Sequence, residues 1–288
     1  MSARMIAVIA GLTLREIARR RILWVLLGLS VASVLLVGWG VDRLVTVARE
    51  EGADELQVRI GVSQVLILIA FMFSFVLAMS AAFLAAPAVA SDVETGTVSA
   101  MLARPLRRAE LVVGRWVGLL IVIAGYAVLS GLLAIGVVGL VSGFMPPSPW
   151  IAVGFLAFQA AVVLTLALAL GTRLPAVAAG AITVVAFGLA WFAGVLGNIA
   201  VAFNAAPLAS SGEAVRVLIP TDGLWRGVIY GLEPPLVVLA TMSRNTEAMR
   251  ANPFFADAPP PGPFIAWAAV WVALVLASGI VLFRRREL

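Results

Sequence analysis

The chain has no cysteine, no histidine and no lysine, so all 20 of its basic residues are arginine. These absences remove whole classes of chemistry. Without lysine there is no G-x-x-x-x-G-K-[ST] loop, so the chain does not itself hold ATP in that way. Without histidine and cysteine there is no zinc-protease site, no Ser-His couple, no thiol nucleophile and no disulfide. The sequence therefore offers no catalytic, cofactor-binding or metal-ligating residue, and the chain is not expected to be an enzyme by itself. Charge is scarce too. Only 12% of the 288 residues are charged, against 62% hydrophobic. A soluble domain is nearer half apolar, so the composition points to an integral membrane protein.

What is present is a series of apolar runs. Six of them, at about residues 22–41, 62–90, 116–141, 151–171, 176–201 and 264–283, are long enough to cross a core of about 30 Å at about 1.5 Å per residue. The first is too long for a signal-peptide core and no small-x-small cleavage site follows it, so it is expected to be retained. Pro87 falls near the end of the second run, where a helix bends or stops. The expected fold is all-α: one polytopic transmembrane domain over residues 1–288 with six spans.

Residues 1–21 read as an interfacial helix. Arg4, Arg15 and Arg19 share one side, and Ile6, Ile9, Ala10 and Ile17 lie roughly opposite, while Val8 and Leu12 break the pattern. Residues 42–60 are polar and mixed in charge. Residues 204–263 form the longest segment between spans and are rich in proline. Within it, 223–232 and 235–242 are apolar but too short to cross, which makes them interfacial or re-entrant pieces covered by protein. At least one short helix is expected there.

Six spans put both termini on one side. That side carries thirteen arginines and five acids, and the other carries seven arginines and ten acids. The excess of arginine places both termini and the segment 91–115 in the cytoplasm. The net charge of +5 is explained by this orientation, and no nucleic acid is expected as a partner. No Asp, Glu or Arg falls inside the six predicted spans. Ion-coupled transporters need such groups in the membrane, so energy for uphill movement is expected to enter from a soluble partner. Ser74, Tyr126, Gln159, Thr165 and Asn198, among other mild polar residues of the spans, read as interhelical hydrogen-bonding groups.

The charged connector "SDVETGTVSAMLARPLRRAELVVGRWVG" (91–118) stands out between two spans. Its Glu94, Gly96, Thr97, Met101, Leu102, Pro105, Arg108, Gly114, Arg115 and Trp116 follow an ordered pattern. The pattern resembles the cytoplasmic loop of type-2 ABC exporter permeases, particularly the NosY-like group, which usually has Lys where this chain has Arg115. "PTDGLWR" (Pro220, Thr221, Asp222, Trp225 and Arg226 within it) resembles an extracytoplasmic motif of the same family, with Ile219 in place of the family's Asn. An interfacial Trp225 with a snorkelling Arg226 is the competing reading there.

The resemblance implies the permease subunit of an ATP-driven exporter in a bacterial or archaeal cytoplasmic membrane, surrounded by membrane lipid. It implies two cytosolic ATP-binding cassette ATPase subunits, which would bind ATP and Mg, and a second permease copy or paralogue. An extracytoplasmic accessory protein is a further candidate partner. The connector would be the coupling helix. Glu94 and Thr97 would sit near its start. Met101 and Leu102 would be the apolar anchor, with Arg104, Arg107 and Arg108 as a polar rim, and Pro105 would separate two helical pieces. The alternative class is a non-transporting membrane scaffold or assembly factor that recruits a cytosolic partner.

Overall fold

The computed structural model describes residues 2–19, 21–94, 107–203, 205–235, 238–239 and 252–286, without the side chains of 21–27, 202 and 208. Among them there is no strand. The helices are α1 (Ala3–Arg19), α2 (Arg21–Glu50), α3 (Glu55–Ala85), α4 (Pro87–Glu94), α5 (Arg108–Ser142), α6 (Pro149–Gly171), α7 (Ala176–Ala202), α8 (Ala206–Leu218), α9 (Thr221–Leu232) and α10 (Gly262–Arg284). Among the described residues six stretches are long and apolar enough to cross a membrane: Gly28–Glu50, Glu55–Glu94, Arg108–Ser142, Pro149–Gly171, Ala176–Val201 and Gly262–Arg284. The chain is an all-α polytopic membrane protein.

Several helices run past the apolar limits read from sequence. α2 continues to Glu50 and α3 begins at Glu55, so the polar stretch 42–60 is mostly helix. Asp54 explains the sharp restart. Its side chain accepts from the Gln57 amide, and the Gln57 side chain accepts from the Asp54 amide, a reciprocal cap that satisfies two otherwise orphaned donors. Hydropathy reports where a helix meets lipid, not where it ends. At the other end of α3, Pro87 removes one donor from the ladder, and the chain resumes as α4 after Ala86.

α6 is the hub. It packs against α3, α5, α7, α9 and α10, and Val162, Leu164, Ala167 and Leu168 are fully buried. Around it lie two main apolar layers. One, nearer the termini, joins Ile9, Ile17, Leu77, Leu119, Leu164, Leu168, Phe187 and Phe283. The other joins Val41, Val62, Ile67, Phe71, Ile135, Leu156, Trp225 and Ile229. Outside them, Leu35, Leu36, Trp39, Leu140, Val177 and Leu189 are exposed. So large an apolar surface is unfavourable in water and is at home in lipid.

α1 docks on the bundle. Ile9, Ala10, Thr13 and Ile17 are buried, and Ile9 and Thr13 sit against Gly114 and Gly118 of α5. Val8 and Leu12, which break the amphipathic pattern, are more than half exposed. The helix thus has a protein-facing stripe of 9, 10, 13 and 17, and a separate apolar edge.

The segment after α7 folds back. α8 runs antiparallel along α7, and the two backbones meet where Gly212 faces Gly197. The chain turns at Ile219 and Pro220, and α9 returns along α6 until the Ser148 amide donates to the Gly231 carbonyl. Depth follows from the partners of the turn. Gln159, ten residues into α6, donates to the Thr221 carbonyl. Trp271, nine residues into α10, donates to the Leu218 carbonyl. At 1.5 Å per residue the turn lies about 14 Å below the far ends of the spans, near the middle of a core of about 30 Å. α8 and α9 form a re-entrant hairpin.

A Cβ at Gly212 would lie 2.7 Å from the Gly197 Cα and 3.0 Å from the Ala193 carbonyl oxygen, both backbone atoms. Gly212→Val is therefore expected to force α8 off α7 and destabilise the protein by about 1–3 kcal/mol. Gly136→Ala meets no atom within 4 Å and is expected to be neutral or slightly stabilising. Thermal unfolding of both variants in one detergent checks the pair; equal midpoints would show that the hairpin does not need this close approach.

Candidate functional site

Two groups of polar residues stand out among the described residues for their burial and their ties between helices. The first rings the base of the connector, at the end of the bundle that holds the termini. Arg115, one side of its guanidinium on each partner, bonds Glu16 of α1 at 2.7 Å and Asp92 of α4 at 2.8 Å. Its side chain is only 12% exposed and that of Asp92 16%, whereas Glu16 is 45% exposed. Shielding from water makes the charge-assisted Asp92 arm stronger than a surface pair. Arg108 donates to the carbonyls of Phe283 and Arg284 at 3.1 and 3.2 Å and to that of Arg286, and it lies over the Phe283 ring. These acceptors belong to the C-terminal end of α10, where a cation is favoured by the helix dipole. Glu110 accepts from the Ser2 amide at 2.6 Å and from the Arg107 amide at 3.3 Å. Arg286 in turn donates to the Thr172 carbonyl. Trp116 donates its indole N–H to Thr165 of α6. The collar joins α1, α4, α5, α6 and α10 around the two ends of the connector.

The guanidinium groups of Arg108 and Arg115 thus turn inward, onto the protein's own backbone and carboxylates, and Arg108 does not stand outward as part of a rim. Glu94 is exposed at the end of α4, and Gly114 is the residue against which Ile9 of α1 packs. Gly96, Thr97, Met101, Leu102, Arg104 and Pro105 lie outside the described residues.

The second group is the turn of the re-entrant hairpin. Asp222 is buried and pairs with Arg216 Nε at 2.9 Å. A Cβ at Gly194 of α7 would overlap the Asp222 carboxyl, so only glycine lets the charge tuck in here. Arg226 donates to Asn198 Oδ1, and Arg216 reaches the same oxygen at 3.4 Å. Pro220 and Thr221 are buried at the start of α9. Gln159 links this turn to α3 by accepting from Ser74 at 2.9 Å. Trp225 is 2% exposed, donates to the Pro253 carbonyl and packs against Phe71. The interfacial, snorkelling reading of Trp225 and Arg226 is therefore overturned: both face protein.

The six apolar runs of the sequence hold no Asp, Glu or Arg, and Arg216, Asp222 and Arg226 come from a connecting segment. The hairpin nevertheless carries them to span depth. Asn198 and Gln159 carried an interhelical-bonding expectation, and they make such bonds to the hairpin. Arg216, Gly194 and Glu233 had no signal in the sequence beyond residue type, because their partners are distant in the chain.

At the far end of α9, Glu233 is 3% exposed. One of its oxygens accepts from the Ala256 amide at 3.3 Å, and the other is buried without a partner. Burial pushes its pKa up to about 7, with Asp257 adding to the rise and the Ala256 bond opposing it. Asn252–Asp257 are thereby strapped over α9 by the Glu233 and Trp225 bonds and by Phe254 against Phe71.

Comparison with known proteins adds one match. The sequence model of the family described as "ABC-2 family transporter protein" matches residues 7–288. No curated protein matches the chain.

The strap has a signed pH dependence. A carboxyl whose folded pKa is raised contributes fully below its ordinary value of 4.5 and loses that contribution as pH rises to about 7. Amide exchange at 254–257, corrected for its intrinsic pH dependence, is expected to speed up between pH 5.5 and 8. Glu233→Gln should flatten the profile; an unchanged profile would show that Glu233 does not hold the strap.

Proposed function

The chain belongs to the ABC-2 family of transporter proteins, and from that premise we propose that it is the permease of an exporter of the NosY-like kind, driven by separate ATPase chains. The family supplies the membrane component of ABC transporters. In our reading, residues 91–115 dock on cytosolic ATP-binding cassette subunits that hold ATP and Mg, and a second permease copy or paralogue completes the translocation unit. Both termini then lie in the cytoplasm, in keeping with the arginine excess at their end of the bundle.

The observation that carries this reading is the collar. A connector that transmits force must be tied to the elements it moves. Asp92 and Arg115 close the base of the segment at 2.8 Å, and Arg115 and Arg108 extend the tie to α1 and α10. A push on the segment is thus delivered to α3 through α4, to α5 directly, and to both terminal helices. A loop that only carried topogenic arginines would have no use for such fastening. The division of labour is that Met101 and Leu102 contact the ATPase, while Arg108 and Arg115 act as positioning residues.

Replacing both Met101 and Leu102 with Asp is expected to weaken co-purification of the ATPase at least about tenfold, the scale on which a buried apolar anchor acts. Arg115→Ala should retain the ATPase and its basal turnover while transport falls, and Ala53→Asp at the opposite end should change neither. Full partner binding and full transport in the Met101/Leu102 variant would reduce the connector to a solvated loop and favour the scaffold class.

A further inference from the structure

A cavity of about 460 Å³ lies between α2, α3, α5 and α6. Its walls are Val34 and Val37 of α2, Leu66 and Phe73 of α3, Ile135 of α5 and Leu156 of α6. α2 follows α5 and has a smaller contact with α3, toward the far end, where Leu44 reaches Gly61. Below that contact the two helices part. Leu29, Leu68 and Met72, which line the cavity, are 62%, 51% and 52% exposed. The opening therefore faces sideways from the bundle, between α2 and α3.

We propose that this cavity binds one aliphatic chain of a bilayer phospholipid, entering sideways between α2 and α3. Three observations select that occupant. The first is depth. Along α3 the lining runs from Leu66 to Val76, about 15 Å of helix, which is the thickness of one leaflet's hydrocarbon. The level is set by Ala152 and Leu232 at one end of the cavity, close to the far ends of α6 and α9, and by Ser30 and Tyr126 at the other. It lies in the leaflet on the side away from the termini. The second is chemistry. Tyr126 and Ser30 hydrogen-bond each other at 2.6 Å, which turns two of the hydroxyls of this wall onto one another; Ser33 and Ser130 are the other hydroxyls of a lining that is otherwise apolar. Water gains little in such a site. The third is size. The volume falls within the range of ligand sites of about 300–1,000 Å³, and left empty it would forfeit the dispersion contacts of its whole lining. An extended chain fills a narrow slot of this length, whereas a headgroup would bring charge into it without a partner.

The inference rests on membrane insertion and not on coupling to an ATPase, so it stands or falls separately from the proposed function. The test uses the full chain in liposomes containing a phospholipid with a diazirine midway along one acyl chain. After illumination, adducts are mapped by mass spectrometry. The expected result is an excess of adducts on 29–37, 66–76 and 126–135 over the exposed face of α7 around Leu189 and Phe192. Ala134→Phe and, separately, Ser33→Phe fill the cavity and should abolish that excess while leaving the α7 labelling unchanged. Labelling of the lining no greater than that of α7 would overturn the proposal, as would an excess that persists in both filled variants. So would a disulfide-linked dimer of Met72→Cys formed with no lining adducts, because a second copy would then seal the opening. The wild-type comparison needs no variant to fold.

Discussion

The ion pair between Arg216 and Asp222 is the interaction on which the far half of the bundle depends. A carboxylate near the middle of a membrane is costly unless it is paired and hydrogen-bonded. Here the pair forms within the turn of the hairpin itself, so the charge arrives with its partner. With that condition met, α9 can replace lipid along α6, Trp225 and Ile229 can enter the apolar layer, and Phe71 can gather Trp191, Trp225 and Phe254 around it. The backbone obeys the same constraint. Non-helical residues at this depth are tolerated only inside protein, and the carbonyls of Leu218 and Thr221 at the turn are taken up by Trp271 and Gln159.

The opposite end uses arginine differently. There the guanidinium groups cap helix carbonyls and span pairs of carboxylates, and the result is a collar and not a buried charge. This difference separates the two sequence motifs by role. Arg108 and Arg115 fasten elements at the end of the bundle that holds the termini. The later motif builds part of the bundle interior.

How much of this was legible in the sequence differs by feature. The six spans were, because length and apolarity belong to each run by itself. The re-entrant possibility was also readable in 223–232, too apolar to lie in water and too short to cross. Its consequence was not, since hydropathy treats Asp222 and Arg226 as solvent-exposed wherever they occur, and only the packing of Gly194, Asn198 and Gln159 reveals that they are sheltered. The stretch 42–60 was legible as polar and mixed in charge but not as helix, because charge on α2 and α3 marks exposure and not loss of helix, and the Asp54–Gln57 cap is a two-residue signal that composition overlooks. Around the connector, sequence identified Arg108 and Arg115 but not their direction, which is set by Glu16 and by carbonyls of α10 far away in the chain.

The choice of arginine at position 115 bears on how a ligand would meet this protein. A lysine at this position would be a point charge; the planar fork of Arg115 serves two carboxylates on two separate helices at once. Asp92 and Arg115, 23 positions apart in the chain, are thus held together at 2.8 Å. Closing a loop of this size costs conformational entropy that grows as about (3/2)RT ln n, and here folding meets that cost in advance. Any ligand that met the segment between them would forgo less freedom on association than it would with two unfastened ends.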